Sequence, residues 1–224
     1  MENLLRLGDD ALILGHRLSE WCGHAPTLEV DLALANIGLD LLGQAQFFLG
    51  LAGDADALAY RRDAFEFKNC LLVEQPNGDF ARTIARQFFF SAWQEILFRR
   101  LAAGDDKNIA AIAAKAGKEV TYHARFAAEW LVRLGDGTEE SRRRMTDGMD
   151  WCWRFVDELF ADDNASLRPE WDARVDAVLA EAGLPRPAKV RGITGGRDGK
   201  HTEHLGHILA DMQFLQRAYP DAVW

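Results

Sequence analysis

The 224-residue chain has few cysteines, no basic stripe and no run of 18 or more apolar residues. Cys22, Cys70 and Cys152 lie far apart and form no C-x-x-C pair, which excludes a disulfide framework or a compact zinc knuckle and leaves reduced, buried thiols as the expectation. A formal charge of −9 with scattered Lys and Arg excludes a nucleic-acid binder, whose phosphate contacts need clustered positive charge. Without a long apolar run, and with Asp9 and Asp10 inside the N-terminal stretch MENLLRLGDDALILG, neither a membrane span nor a signal peptide is expected, and the cytoplasm is the expected compartment. No segment alternates as a strand, and TGGRDG follows none, so a phosphate-binding glycine loop is excluded too.

What is present is helical periodicity. Predicted helix 1 runs over about 3–22, with Leu4, Leu7, Ala11, Leu14, Leu18 and Trp21 spaced as a bundle seam. Thr27 is the expected N-cap of helix 2, whose seam from Val30 to Leu51 is interrupted by one polar residue, Gln44. A connection over about 52–78 is expected to hold a short helix near 64–73, and Asp79 to cap helix 3, over about 80–102, which is apolar on nearly every side. Helix 4, about 106–134, carries Glu119 and His123 within its stripe. Further helices are expected over about 141–160, about 169–183 and about 201–219, with 224 residues forming one domain: a core bundle over about 3–134 and extra helices over about 141–219. The fold class is all-α.

Two stretches, LDLLGQAQF from Leu39 and KEVTYHARF from Lys118, align on a shared Ala and Phe. A bundle with a carboxylate-bridged di-iron centre takes a Glu from each of two helices and a Glu-x-x-His pair from each of the other two. Here Gln44 stands where the first stretch needs its His and His123 supplies the second, while Leu41 and Val120 occupy the Glu positions. Helix 1 has no acid between Ala11 and Ser19, and helix 3 none between Phe80 and Gln94. What remains is Asp40 with Gln44 and Glu119 with His123, each pair about 40° apart around its helix. Buried polar groups without partners cost roughly 1–3 kcal/mol each, so a metal-free cluster in which these four satisfy one another is the favoured reading. A chance grouping and a working metal site are its alternatives.

His201, His204 and His207 recur every third residue and could ligate metal, although a polar helix face with a capping segment is the favoured account. Lys189, Arg191, Arg197 and Lys200 make a basic, aperiodic segment, read as a solvated loop that could also meet an acidic surface or phosphate groups. No catalytic or metal-ligating residue is assigned.

The stretches LGDDALILGHRLSEWCGHAPTLEVDLALANIGLDLLGQAQ, LLVEQPNGDFARTIARQ, KEVTYHARF and TGGRDGKHTEHLGHILADMQFLQRAYPDAVW closely resemble the C-subunit family of the bacterial phenylacetyl-CoA 1,2-epoxidase, across almost the whole chain. The resemblance implies a ferritin-like four-helix bundle with additional C-terminal helices, acting in aerobic phenylacetate breakdown. It implies no cofactor in this chain, iron in a related catalytic A subunit that epoxidises the aromatic ring, a small B subunit, and a reductase carrying FAD and an iron-sulfur cluster fed by NADPH. Asp40, Gln44, Glu119 and His123 would then be the remnant of a lost metal site. His201, Glu203 and His204 would belong to a segment facing the partner, with self-association as a further expectation. The competing reading is a metal-dependent oxygenase in its own right, using His123 and Glu119.

Overall fold

Among the described residues, 1–220 and 222, the computed structural model contains ten α-helices and no strand. They are α1 (Glu2–Ser19), α2 (Leu28–Ala52), α3 (Ala55–Tyr60), α4 (Leu71–Glu74), α5 (Phe80–Ala102), α6 (Lys107–Gly135), α7 (Glu139–Trp153), α8 (Arg168–Glu181), α9 (Glu203–Met212) and α10 (Phe214–Ala218). The fold is all-α, of the ferritin-like bundle class, and its long helices come as two antiparallel pairs. The chain gathers into two compact units, Met1–Pro76 with the segment from Thr194 onward, and Asn77–Ile193. Here α1 and α2 group with the C-terminal segment, and α5 and α6 with α7 and α8, whereas the sequence suggests a core over 3–134 with extra helices after it.

In the first unit α1 and α2 run antiparallel at very close range. A Cβ placed on Gly15 would stand 3.1 Å from the Gly38 carbonyl oxygen, and one on Gly38 would stand 3.3 Å from that of Gly15. Further along, a Cβ on Gly8 would meet the Leu49 side chain at 2.6 Å. The two backbones almost touch, and any larger residue at 15 or 38 would have to push them apart. Thr27 caps α2 as expected, its hydroxyl accepting from the Val30 N–H at 3.4 Å. Helix α1 stops at Ser19, earlier than its seam suggests, in a turn that ends on Gly23 with φ +79°. Asp31 fastens that turn by accepting from the Gly23 N–H at 2.8 Å.

In the second unit α5 starts on the Asp79 cap, which accepts from the Arg82 N–H at 2.9 Å, and is buried on nearly every side. Its antiparallel partner α6 meets it through the edge-to-face pair Phe80–Trp130, centroids 5.1 Å apart, and a Thr121–Glu95 hydrogen bond of 2.8 Å. Helix α7 crosses α5 at Gly148, where a Cβ would meet the Arg82 Cα at 2.8 Å. Helix α8 seats the fully buried Trp171 among Phe89, Trp153 and Phe160, with its indole N–H on the Phe89 carbonyl at 3.0 Å. The expected single helix over 141–160 breaks after Trp153 into a 3-10 turn, Val156–Phe160, where the Arg154 carbonyl accepts from the Ile193 N–H at 2.7 Å.

The thiols depart from expectation at one position. Cys70 and Cys152 are buried but Cys22 is exposed, because the turn after α1 carries it outward. Burial pushes the Cys152 thiol up from 9.0 to about 12, against the weaker pull of Arg86 and Arg82. Its contribution to stability is therefore whole below about pH 9 and is lost as pH rises toward 12. A thiol-exchange reagent at about pH 8 is expected to label Cys22 quickly and the other two only after denaturation, since the thiolate is the reacting form. Fast labelling of all three in the folded chain would contradict this burial.

Candidate functional site

The densest polar chemistry of the first unit lies where helical periodicity offers little sign of it. Asp9 and Asp10 are adjacent on α1, and both are buried within 2 % exposure. Arg62 grips Asp9 with two nitrogens, one of them at 3.0 Å from Oδ2, and the Lys68 N–H adds a third donor at 2.8 Å. Arg197 grips Asp10 at 2.9 and 2.7 Å, and the Cys70 N–H donates to the same carboxylate at 2.7 Å. The Arg197 guanidinium also donates to the Lys68 carbonyl at 2.8 Å. Arg17, two turns further along α1, closes the C-terminal end of α4 by donating to the Glu74 carbonyl at 2.7 and 3.1 Å. Burial pushes both Asp carboxyls above the usual aspartate range, opposed by Arg62 at Asp9 and by Arg197 at Asp10.

These pairs explain why a segment rich in glycine reaches the N-terminal helix. A Cβ on Gly196 would stand 2.3 Å from the Asn69 carbonyl oxygen and one on Gly199 2.2 Å from that of Phe65, so only glycine lets the segment pass over the 65–69 backbone. Arg197 therefore leaves the solvated basic loop expected for it, being 8 % exposed, whereas Lys189, Arg191 and Lys200 do remain exposed. The sequence signal for this arrangement was the Asp9-Asp10 doublet itself, two acids set between Leu7, Ala11 and Leu14 on a seam.

Of the candidate metal-site remnants, Gln44 on α2 and His123 on α6 are buried to within 1 %, and Leu41 and Val120, three residues before them, are wholly buried. Asp40 and Glu119 are only half-buried, one position off each line. The positions that would have to carry bridging carboxylates thus hold aliphatic side chains, and the buried polar side chains near the middle of α5 are Gln87, Ser91 and Gln94, none of them an acid. Among the described residues no three His, Cys, Asp or Glu side chains gather as a metal-holding group. The donor set does not fit a di-iron centre in this chain.

The segment expected to face a partner is exposed only in part. His201 turns inward, its side chain 4 % exposed, with Nδ1 2.8 Å from Glu74 and Nε2 3.0 Å from the Phe67 carbonyl oxygen. Glu203 and His207 are exposed and His204 half-buried, so the three histidines do not form one row of ligands.

Helix α2 carries several of the exposed large apolar side chains. At 100° per residue its outer face brings together Leu28, Leu32, Leu39 and Phe47, which are 71, 56, 66 and 44 % exposed, with Gly43 and Gly50 between them. The helix has no Lys, Arg or His, and its most apolar 18 residues reach a mean hydropathy of 1.3, enough by length and composition alone to cross a membrane. Its inner face, however, is committed to α1.

The sequence profile described as phenylacetic acid catabolic protein matches residues 1–224. The chain belongs to that family. Among curated relatives in the family, the C subunit of the 1,2-phenylacetyl-CoA epoxidase of Escherichia coli (strain K12) is 52 % identical over 240 residues, covering 98 % of this chain and 97 % of the relative. In this chain the regions that carry the resemblance at the two ends meet through Asp10 and Arg197.

Proposed function

We propose that this chain is the structural, non-catalytic C subunit of a phenylacetyl-CoA 1,2-epoxidase in phenylacetate catabolism, and that it supports a di-iron catalytic A subunit by burying the outer face of α2 against it. The observation that carries this reading is that α2 is apolar on most sides yet only one side of it is covered. Its mid-helix glycines sharpen the point. Glycine costs a helix interior about 1 kcal/mol relative to Ala, and a Cβ on Gly43 or Gly50 would meet nothing within 4 Å inside the chain, so the absent side chains are of use only to something approaching from outside. An apolar stripe of this kind, interrupted by Asn36 and edged by Asp40 and Gln46, has the make-up of an interface centre. The small B subunit and the FAD and iron-sulfur reductase fed by NADPH complete the proposed system, and iron resides in the partner.

The test is the double variant Leu39→Glu with Phe47→Glu. Both side chains are solvent-exposed, so the isolated chain should fold with little change in Tm. Co-purification with the catalytic A subunit and epoxidation by the reconstituted system should both fall at least about tenfold, because two carboxylates would be buried at the centre of the contact. Undiminished association would remove α2 from the interface and the reading would lose its support.

A further inference from the structure

The contact between His201 and Glu74 is independent of the role proposed above. Glu74 is wholly buried, and its carboxylate is met by four groups: the Thr202 N–H at 2.7 Å and hydroxyl at 2.8 Å, the Asn69 amide at 2.9 Å, and His201 Nδ1 at 2.8 Å. The other ring nitrogen, Nε2, lies 3.0 Å from the Phe67 carbonyl oxygen, which can only accept. A neutral imidazole has a single N–H. Nε2 must spend it on Phe67, so the contact between Nδ1 and the carboxylate needs a further proton, and the imidazole, ordinarily the more basic of the two groups, holds it. The pair thus binds one proton more than a carboxylate and a neutral histidine apart.

We infer that this shared proton is a latch. While it is bound, it fastens the segment from Thr194 through α9 onto the first unit, and its loss at alkaline pH releases that segment. The charges on the surrounding elements are largely matched among themselves. On α1, Asp10 is paired with Arg197, and Arg17 with Glu20; on the connection before α4, Arg62 is paired with Asp9, and Glu66 accepts from the Asp63 N–H. Lys68 presents its backbone here, Lys200 and Glu203 flank the ring as exposed residues, and His204 is half-buried on α9. Glu74 is the carboxylate that meets the ring directly. Deprotonation would leave it facing an imidazole lone pair in a site sealed from water, and would remove one of the bonds that hold the start of α9. The sign follows: stabilisation by the bound proton is complete below the ordinary imidazole value of about 6.5 and disappears as pH rises through the titration of the pair.

Nitrogen-15 spectra of the histidine-labelled full chain at about pH 7.5, assigned by single-histidine substitutions, test the first step, since the imidazolium and the two neutral tautomers differ in their nitrogen shifts. Amide exchange of peptides spanning 194–212 tests the second, between about pH 7 and about pH 9 and corrected for the intrinsic base-catalysed rate. His201 should carry both protons, and protection of 194–212 should fall by about tenfold per pH unit once the pair titrates, while peptides of α2 stay level. In His201→Gln, whose amide can still donate to Glu74, the corrected protection should be independent of pH. A singly protonated His201 at pH 7.5 with Nδ1 bare, or a wild-type segment whose protection follows that of α2, would overturn the latch. Should the Gln variant fail to fold, these two wild-type measurements decide alone.

Discussion

Replacing Asp10 by Ala is expected to destabilise the chain by about 3–5 kcal/mol, because it strands the Arg197 guanidinium in the interior. The same loss is expected from Arg197→Ala, which strands the carboxylate. Together the two changes should cost far less than their sum. Desolvation already lifts the Asp10 carboxyl above the usual range, which means that the ionised pair is held against the cost of burying it. A folded value raised in this way contributes stability that is complete below the unfolded aspartate value and is lost as pH rises, so acidification does not weaken the fold through Asp10. His16, on the same helix, works the other way: burial lowers its value, and the stability it carries above about pH 6.5 is lost as pH falls. Recovery in the double variant should still be partial. The Cys70 N–H and the Lys68 carbonyl lose their partners, and each buried orphan costs roughly 1–3 kcal/mol. Chemical denaturation of the four proteins of this cycle measures the coupling, and strictly additive losses would show that the pair is not a unit.

This pair also marks where sequence reading runs out. Periodicity and caps are local, and what depends on them was legible: α5 and the Thr27 and Asp79 caps fall where the spacing and turn chemistry put them. The burial of Gln44 and His123 followed from their place in apolar stripes. The partners of Asp9 and Asp10 lie 53 and 187 residues away, and no repeat in a stripe encodes a contact of that span. Arg197 looked like one basic residue among four in a loop, since nothing short of the fold distinguishes a solvated guanidinium from one with a buried carboxylate waiting for it. Helix ends failed where a distant group intervened. The predicted helix over 201–219 is interrupted at Gln213, whose amide turns to the Ala59 and Arg62 carbonyls at 2.9 and 3.0 Å. The grouping of α1 and α2 with the C-terminal segment has the same origin, because it is built from these long-range bonds and not from any linker the chain displays.

Restoring the missing ligands on α2 and α6 is expected to wreck stability without gaining iron. In the variant Leu41→Glu, Gln44→His, Val120→Glu, both α2 and α6 would again read Glu-x-x-His. Yet positions 41 and 120 are wholly buried, and a carboxylate set there without a compensating charge should cost about 3–4 kcal/mol even after part of the penalty is escaped by protonation. The remaining acids of such a centre would have to come from α1 and α5. On α1 the buried carboxylates are already held by Arg62 and Arg197, and the buried middle of α5 offers Gln87, Ser91 and Gln94. Elemental analysis should therefore find only substoichiometric iron in the variant, as in the parent chain. The pH dependence separates charge from mere polarity. A buried carboxyl has a raised folded value, so the penalty should grow from about pH 5 to about pH 8, whereas in a control with Gln at 41 and 120 it should stay flat. Near-stoichiometric iron with stability kept would mean that the bundle still offers acids to a metal, and the search for an oxygenase site would return to His123.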